Sequence, residues 1–446
     1  MSTGPTDRAS GDGAAAARPD AGGSAATGPE AEHHAPDRRF ERTWMVSLFG
    51  TAVGAGILFL PINAGAGGLW PLVVATVLIG PMTYLAHRGL SRFVSASDHP
   101  GSDITVVARD LFGEAAGQVI TVLYLLSILP IVMIYGIAIT NTVDDLLTVQ
   151  LGLASPSRWL LSGVLVAVLM LVMILGQRIM LVAMQWLVYP LIAILLGISV
   201  FLIPHWDFGV FLSAEQSPAR MISALILVIP VLIFAFYFAA AVSQFTLAMQ
   251  RRYQGEADAR ATVVLRRTTA LLVIFTMGFV WSCVLALGVD GLREARDANL
   301  PVLSYLAQTL DSPIIAYLGP AVAIAAISSS FFGHYLGAAE GTAGLVRSGV
   351  KAMGRTPSEK AVRGSVAVFI FLLTWGAAVA DLGVLDMIET LVGPVMALVL
   401  YLMPMYAIHR FEALRRFRGL GSNVFVTVAG FFAVGCIVYR VVVVGF

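Results

Sequence analysis

Apolar runs of about 18 residues or more recur in this chain from about residue 43 to its last residue. A run of that length crosses the bilayer as a helix, because a helix satisfies its own backbone polar groups in lipid. The composition agrees, with 58% hydrophobic and 12% charged residues, against roughly 25% charged residues in soluble domains. The sequence therefore predicts an all-α, polytopic integral membrane protein.

The apolar runs predict eleven membrane spans within one domain over residues 41–446. Their approximate bounds are 43–65, 68–93, 115–146, 159–176, 178–203, 219–249, 267–289, 313–345, 364–381, 384–408 and 422–445. Residues 1–40 consist mainly of alanine, glycine, proline, serine and charged residues, with no apolar segment. Such a composition cannot bury enough apolar surface to fold. Residues 1–40 are therefore predicted to be a disordered tail.

The distribution of positive charge predicts the orientation in the membrane. Lysine and arginine, 28 residues together, concentrate in the tail and in every second loop. Such loops lie in the cytoplasm. Only a few arginines fall on the other side, namely Arg158, Arg220, Arg293, Arg296 and Arg440. The sequence predicts a cytoplasmic N-terminus and an external C-terminus. It has no basic domain that would bind nucleic acid.

The first span, "FGTAVGAGILFLPINAG" over 49–65, contains Gly54, Gly56 and Pro61. Small residues allow close helix packing, which is one interpretation of the two glycines. The other interpretation is a break in the helix, tolerated at membrane depth only where it lines a buried or watery cavity. Amide groups at the start of the outer half would suit a carboxylate, and carbonyls at the end of the inner half would suit a cation.

The sixth span should contain a matching break if the fold is built from inverted repeats. It reads "LVIPVLIFAFYFAAAVSQFTLAMQ", with Pro230, an aromatic cluster, and the polar Ser243 and Gln244. The cluster comprises Phe234, Phe236, Tyr237 and Phe238. These aromatics could equally face lipid or core. The three alanines that follow favour an uninterrupted helix.

The eighth span, "AIAAISSSFFGHYLGAAEG", contains three serines, a histidine and a glutamate. Such side chains are costly in lipid and usually face an interior path. Ser330 and His334 are four residues apart and share a helix face, which Gly337 and Gly341 continue. We therefore consider His334 and Glu340 candidates for proton transfer, and a neutral, core-bonded histidine remains the alternative.

Four stretches in this order resemble the hydroxy and aromatic amino acid permease family, closest to its serine and serine/threonine permease branch. They are "FGTAVGAGILFLPINAG", "PVLSYLA", "SFFGHYLGAAEG" and "IETLVGPVMALVLYLMPMYAIHR". The resemblance covers about residues 40–446. That family belongs to the amino acid–polyamine–organocation superfamily. The resemblance therefore implies a transporter with the LeuT-like fold, a 5+5 inverted repeat plus one helix.

The resemblance also assigns roles by position. In LeuT-like carriers the first-span break holds the amino acid carboxylate, which falls here on Thr51, Ala52, Gly54, Ala55 and Gly56. Carbonyls of the sixth-span break face the amine, and the substrate residues there are Phe234, Phe236, Tyr237 and Ser243. A sodium site in such carriers uses carbonyls and hydroxyls at positions that correspond to Gly50, Val53, Ala326, Ser329 and Ser330.

The sixth span departs from the family in one respect. Serine permeases of the family typically have an Asn-His-Ser-Pro-like stretch where this chain has "FYFAAAVSQF". Serine, then threonine, is the expected substrate. A larger apolar or aromatic amino acid is the alternative.

The coupling ion is either a proton, carried by His334 and Glu340, or sodium, and no cofactor is expected. Substrate and lipid are the expected partners, and the oligomeric state is open. A channel, an amino acid sensor on a transporter scaffold and a membrane enzyme are rival classes. The sequence lacks the catalytic motifs H-E-x-x-H, G-x-S-x-G and C-x-x-C, which argues against a membrane enzyme.

Overall fold

The computed structural model describes residues 37–65, 68–97, 101–209, 217–297, 301–382 and 393–439. Most of the predicted tail, part of the tenth span and the end of the last span lie outside the described residues. Within the described ranges the protein is helical and contains no strand.

Most helices follow the predicted spans to within a few residues, but the helical stretch at the seventh span, predicted over 267–289, runs from Ala257 to Asp297. The first half contains α1 (Arg38–Ala52), α2 (Leu60–Gly65), α3 (Leu69–Val94), α4 (Ile104–Phe112), α5 (Glu114–Asp145), α6 (Arg158–Ile174) and α7 (Gln177–Phe201). The second half contains α8 (Pro218–Ala235), α9 (Ala239–Tyr253), α10 (Ala257–Leu272), α11 (Gly278–Asp297), α12 (Val302–Thr309), α13 (Pro313–Ala352), α14 (Glu359–Ala380), α15 (Gly393–Ala397), α16 (Met403–Arg410) and α17 (Gly421–Tyr439).

Six helical stretches of the described residues are long and apolar enough to cross a membrane. Four shorter apolar helices accompany them, and the first predicted span is divided between α1 and α2. The protein is thus a multi-pass membrane protein, and the number of eleven spans remains a prediction.

Helix α1 begins at Arg38, inside the segment predicted to be disordered up to residue 40. The carboxylate of Asp37 accepts a hydrogen bond from the Phe40 N–H at 3.0 Å, which caps the helix. This bond also holds the pKa of Asp37 below its ordinary value. Phe40 packs edge-on against Tyr253, with ring centroids 6.1 Å apart. Residues 38–40, assigned to the tail by the sequence, are therefore the first turn of α1, which the cap and the aromatic contact stabilise.

Helix α13, with 40 residues, lies at the centre and packs against α1, α5, α7 and α9. Its glycines allow these approaches. A Cβ atom on Gly333 would lie 1.9 Å from Thr51 Oγ1, and one on Gly337 would lie 2.8 Å from the Ala240 carbonyl oxygen. Because real Cβ atoms essentially never come so close, both positions require glycine.

The close contact at Gly333 yields the first prediction. Gly333→Ala should lower the free energy of unfolding by about 1–3 kcal/mol, because the added methyl group overpacks the contact with Thr51. The measurement is the thermal melting of purified protein. The matched control is Gly349→Ala in the same helix, where a Cβ meets nothing within 4 Å. Equal melting temperatures for the two variants would contradict the assignment of Gly333 to a tight interface.

Candidate functional site

The first helix break extends from Val53 to Phe59. Gly54 is extended, with φ −106° and ψ −157°, and its N–H donates to the Ala52 carbonyl at 2.9 Å. A short 3₁₀ turn over Ala55–Leu58 follows. The Gly56 N–H donates to no described residue, and the Val53 carbonyl accepts from none. Among the described residues the break therefore presents an unpaired donor on the side of α2 and an unpaired acceptor on the side of α1.

Both glycines of the break are also in close contact with other helices. A Cβ on Gly54 would lie 2.6 Å from the Tyr135 hydroxyl and 2.7 Å from Ser330 Oγ. A Cβ on Gly56 would lie 3.2 Å from the Phe234 ring. Both interpretations of these glycines, close packing and a helix break, therefore apply. The backbone leaves the helix here and also closely approaches its neighbours.

The second break separates α8 from α9 at residues 236–238. The Phe236 N–H donates to the Leu232 carbonyl at 3.0 Å, and the Tyr237 N–H donates to the Phe234 carbonyl at 3.2 Å. The carbonyls of Ala235, Phe236 and Tyr237 accept no hydrogen bond from a described residue. Since the Phe234 ring lies against Gly56, the two breaks meet.

Two serines of α13 bind the carbonyls that α1 leaves unpaired at its end. Ser329 Oγ lies 3.2 Å from the Gly50 carbonyl oxygen and 3.1 Å from that of Ala326. Ser330 Oγ lies 2.5 Å from the Thr51 carbonyl oxygen and 2.7 Å from the Tyr135 hydroxyl. With one hydroxyl hydrogen, Ser330 donates to the carbonyl and accepts from Tyr135. These two serines join α13 to the end of α1.

Three of the five predicted sodium ligands, Gly50, Ala326 and Ser329, therefore come together. Ser330 is turned toward Thr51 instead, and the Val53 carbonyl remains unpaired among the described residues. The described residues contain no group of three or more histidine, cysteine, aspartate or glutamate side chains that could hold a metal ion. A cation at this point would meet neutral oxygens, which suit a hard monovalent ion.

His334 is buried between two tyrosines. Its Nδ1 lies 2.9 Å from the Ser330 carbonyl oxygen and therefore carries the hydrogen. The ring stacks on Tyr237 at 5.8 Å and meets Tyr135 edge-on at 5.4 Å. Nε2 has no hydrogen-bond partner among the described residues. His334 thus has a free proton-accepting atom one helical turn from the serine pair.

Glu340 is a buried carboxylate further along α13. It accepts a hydrogen bond from the side chain of Gln244 on α9, and the Tyr124 hydroxyl lies 3.5 Å from its Oε2. Ser243, on α9 beside Gln244, accepts the Ile104 N–H at 3.2 Å through its Oγ. Ser243, predicted to contact substrate, therefore bonds the start of α4.

Buried polar groups connect the surroundings of His334 with those of Glu340. Tyr237, which stacks on His334, places its hydroxyl 3.3 Å from Ser127 Oγ. Ser127 Oγ donates to the Tyr124 carbonyl at 2.7 Å, and the Tyr124 hydroxyl faces Glu340. The surroundings of the two ionisable side chains thus adjoin along α5, through Ser127 near Tyr237 and through Tyr124 near Glu340.

The remaining predicted substrate residues contribute mainly backbone and packing. The Thr51 hydroxyl donates to the Ser47 carbonyl at 2.8 Å and faces α13, while Ala52 and Phe236 are buried. Sequence reasoning missed Tyr135 and Tyr124, although both are buried polar groups on α5. Their only sequence signal is a tyrosine within an otherwise apolar span.

Comparison with known proteins gives the same family as the four motifs. The pattern of the tryptophan/tyrosine permease family matches residues 43–361. The serine transporter SdaC of Escherichia coli (strain K12) is 41% identical over 407 residues, covering 90% of this chain and 95% of that protein. The threonine/serine transporter TdcC of Yersinia enterocolitica serotype O:8 / biotype 1B (strain NCTC 13174 / 8081) is 37% identical over 427 residues, covering 90% and 96%.

A solved structure shares the fold. The crystal structure of MhsT in complex with L-phenylalanine superposes with a TM-score of 0.60 at 14% identity, covering 89% of this chain and 96% of MhsT. This likeness confirms the LeuT-like fold. The resemblance to serine and serine/threonine permeases is confirmed as well, and the chain belongs to the tryptophan/tyrosine permease family, a family of permeases and not of enzymes.

Proposed function

We propose that the protein is a secondary active transporter that imports a small neutral L-amino acid, serine first and threonine next, by proton symport. Its location is the cytoplasmic (inner) membrane of a bacterium. The observation that carries the proposal is the meeting of two interrupted helices at Gly56 and Phe234. Interrupted helices at membrane depth are tolerated where they line a cavity, and in transporters they bind the substrate.

The unpaired backbone groups complement both charges of an amino acid. The Gly56 N–H, at the start of the outer side of the first break, suits the α-carboxylate. The carbonyls of Ala235, Phe236 and Tyr237 suit the α-ammonium group. Thr51, Ala52, Gly54 and Ala55 contribute through the course of the backbone rather than through polar side chains.

Two features support a hydroxyl-bearing substrate. The relatives described above are named serine and threonine/serine transporters. The hydroxyls of Tyr135 and Ser330 also adjoin Gly54, within reach of a polar substrate side chain. Phe234 and Phe236 favour the alternative, an aromatic or larger apolar substrate, and MhsT is named as a complex with L-phenylalanine.

The second prediction tests the substrate. In proteoliposome counterflow, unlabelled serine should compete best with labelled serine, threonine next and phenylalanine least.

Gly56→Leu should reduce serine uptake at least tenfold, because its side chain collides with Phe234 where the carboxylate binds. The matched control is Gly376→Leu, where a Cβ meets nothing within 4 Å. Competition by phenylalanine but not by serine would contradict the substrate. Binding without counterflow would favour a sensor.

The proposed proton path uses His334 and Glu340. His334 Nε2 is a free acceptor beside Tyr237, and histidine changes charge near neutral pH more readily than other side chains. Glu340 is a buried carboxylate within a membrane helix, which is by default a functional candidate. Glu340 would relay the proton toward the cytoplasm.

Sodium coupling has one observation in its favour. Ser329 Oγ lies within 3.2 Å of the Gly50 carbonyl oxygen and 3.1 Å of the Ala326 carbonyl oxygen. This cluster of neutral oxygens resembles the sodium ligand set of LeuT-like carriers, with Val53 and Ser330 as its further members. In the proton mechanism the same hydroxyl only caps the end of α1.

The third prediction separates the two ions. A pH gradient without sodium should make wild-type proteoliposomes concentrate serine. His334→Ala should reduce that concentration at least tenfold while retaining serine exchange, because exchange needs no net proton movement. Ser329→Ala is the matched variant and should still respond to the pH gradient. Uptake driven only by a sodium gradient, and lost in Ser329→Ala, would replace the proton by sodium.

The fourth prediction concerns orientation, proposed from the positive charges of the loops. An enzyme reporter active only outside the cytoplasm should be active when fused after Phe446, since eleven spans from a cytoplasmic N-terminus end outside. The same reporter fused after Arg355, in the loop between α13 and α14, is the control and should be inactive. Activity of the second fusion but not the first would reverse the orientation.

A further inference from the structure

His87 is a buried histidine of α3 that lies against the second helix break. It is 1% exposed, and its ring stacks on Phe238 with centroids 3.6 Å apart and planes inclined by 17°. Nδ1 lies 2.7 Å from the Thr83 carbonyl oxygen. Nε2 lies 3.2 Å from the backbone nitrogen of Phe238. Both nitrogens of the ring are therefore engaged.

These two contacts determine the protonation of the ring. A carbonyl oxygen can only accept, so Nδ1 carries a hydrogen and donates it to Thr83. A backbone N–H can only donate, so Nε2 carries no hydrogen and accepts from Phe238. His87 is thus a neutral imidazole that supplies a hydrogen-bond acceptor to the backbone of the break.

That acceptor replaces the one a continuous helix would provide. In an uninterrupted helix the Phe238 N–H would donate to the Phe234 carbonyl, four residues earlier. Here Phe234 accepts from the Tyr237 N–H instead, and Phe238 donates to His87. Among the described residues, the acceptor of the Phe238 amide therefore lies on another helix, α3.

We propose that His87 is a positioning residue that holds the sixth span open. By accepting from Phe238, Nε2 keeps α9 from continuing α8 and leaves the carbonyls of Ala235, Phe236 and Tyr237 unpaired. His87 itself need not touch the substrate. Its effect on transport rests on the proposed function, in which these carbonyls bind the ammonium group, whereas its effect on the backbone does not.

Two substitutions separate the acceptor from the rest of the ring. His87→Gln puts an amide oxygen as far along the side chain as Nε2 and retains the acceptor. His87→Asn puts its oxygen at the position of Nδ1, too short to reach Phe238. His87→Phe keeps an aromatic ring but offers no acceptor. His409→Ala, at an exposed histidine, is the control for histidine removal.

The fifth prediction uses hydrogen–deuterium exchange of the full-length protein without substrate, followed on peptides that contain residues 236–241. These amides should exchange at least about fivefold faster or slower in His87→Asn and His87→Phe than in wild type, because loss of a helix-terminal acceptor alters the local opening equilibrium. His87→Gln and His409→Ala should exchange like wild type. Melting temperatures check that each variant is folded.

The transport readout is the Michaelis constant for serine in proteoliposomes. His87→Asn and His87→Phe should raise it about tenfold or more, with a smaller change in maximal rate, and His87→Gln should restore most of the affinity. Equal exchange and equal kinetics in Gln and Asn variants would overturn the proposal. So would a folded His87→Phe protein that behaves like wild type.

The exchange measurement keeps this inference separate from the proposed function. If the wild-type protein transports no serine, the proposed function fails, while exchange at residues 236–241 still decides whether His87 holds the break. If neither acceptor-free variant folds, His87→Gln decides alone: wild-type exchange supports the acceptor role, and altered exchange in the folded Gln variant overturns it.

Discussion

Unpaired backbone groups at two helix breaks are the constraint around which this protein is organised. In the hydrocarbon core no water is present to pair an N–H or C=O group, and each unsatisfied group costs several kcal/mol. Side chains of other helices pair some of them: Ser329 and Ser330 of α13 bind the end of α1, and His87 of α3 binds the start of α9. These bonds act only at close range. Helix α13 must therefore lie directly against α1, which explains why Gly333 has no room for a methyl group.

The groups that remain unpaired have a chemical pattern of their own. An amide donor at Gly56 and acceptors at the carbonyls of residues 235–237 lie on two breaks that touch through Phe234. An α-amino acid carries a carboxylate and an ammonium group a few bonds apart, and so complements both. These complementary groups belong to the backbone, so they recognise only the carboxylate and the ammonium group that all α-amino acids share. In the proposed function, discrimination among substrates then rests on neighbouring side chains, of which Tyr135 and Ser330 are polar and Phe234 is not.

The sequence predicted what depends on local patterns and missed what depends on contacts between distant segments. Span positions follow from hydropathy, and the first break follows from Gly54 and Gly56. The second break was expected from the inverted repeat but is not marked locally, since it has no glycine and three alanines favour a continuous helix there. Its cause is the acceptor on His87, about 150 residues away along the chain, which no local pattern reveals. Tyr135 was missed for the same reason, since its partner Ser330 lies on a distant helix. The start of α1 depends on Asp37 and Tyr253 together.

The proposed proton path has its physical basis in the position of α9. His334 and Glu340 lie on the same helix, six residues and so about 9 Å apart along its axis. His334 stacks on Tyr237, which lies in the second break, and Glu340 accepts a hydrogen bond from Gln244 on α9. A change of charge at His334 alters a contact with the break, and one at Glu340 alters a contact with the helix that follows it. Because α9 begins two residues after Tyr237, loading a proton and ordering the carbonyls for the substrate would act on one continuous segment, the second break with α9. Sodium beside Ser329 would act instead on the end of α1. The two mechanisms therefore predict different moving parts, α9 for the proton and α1 for sodium.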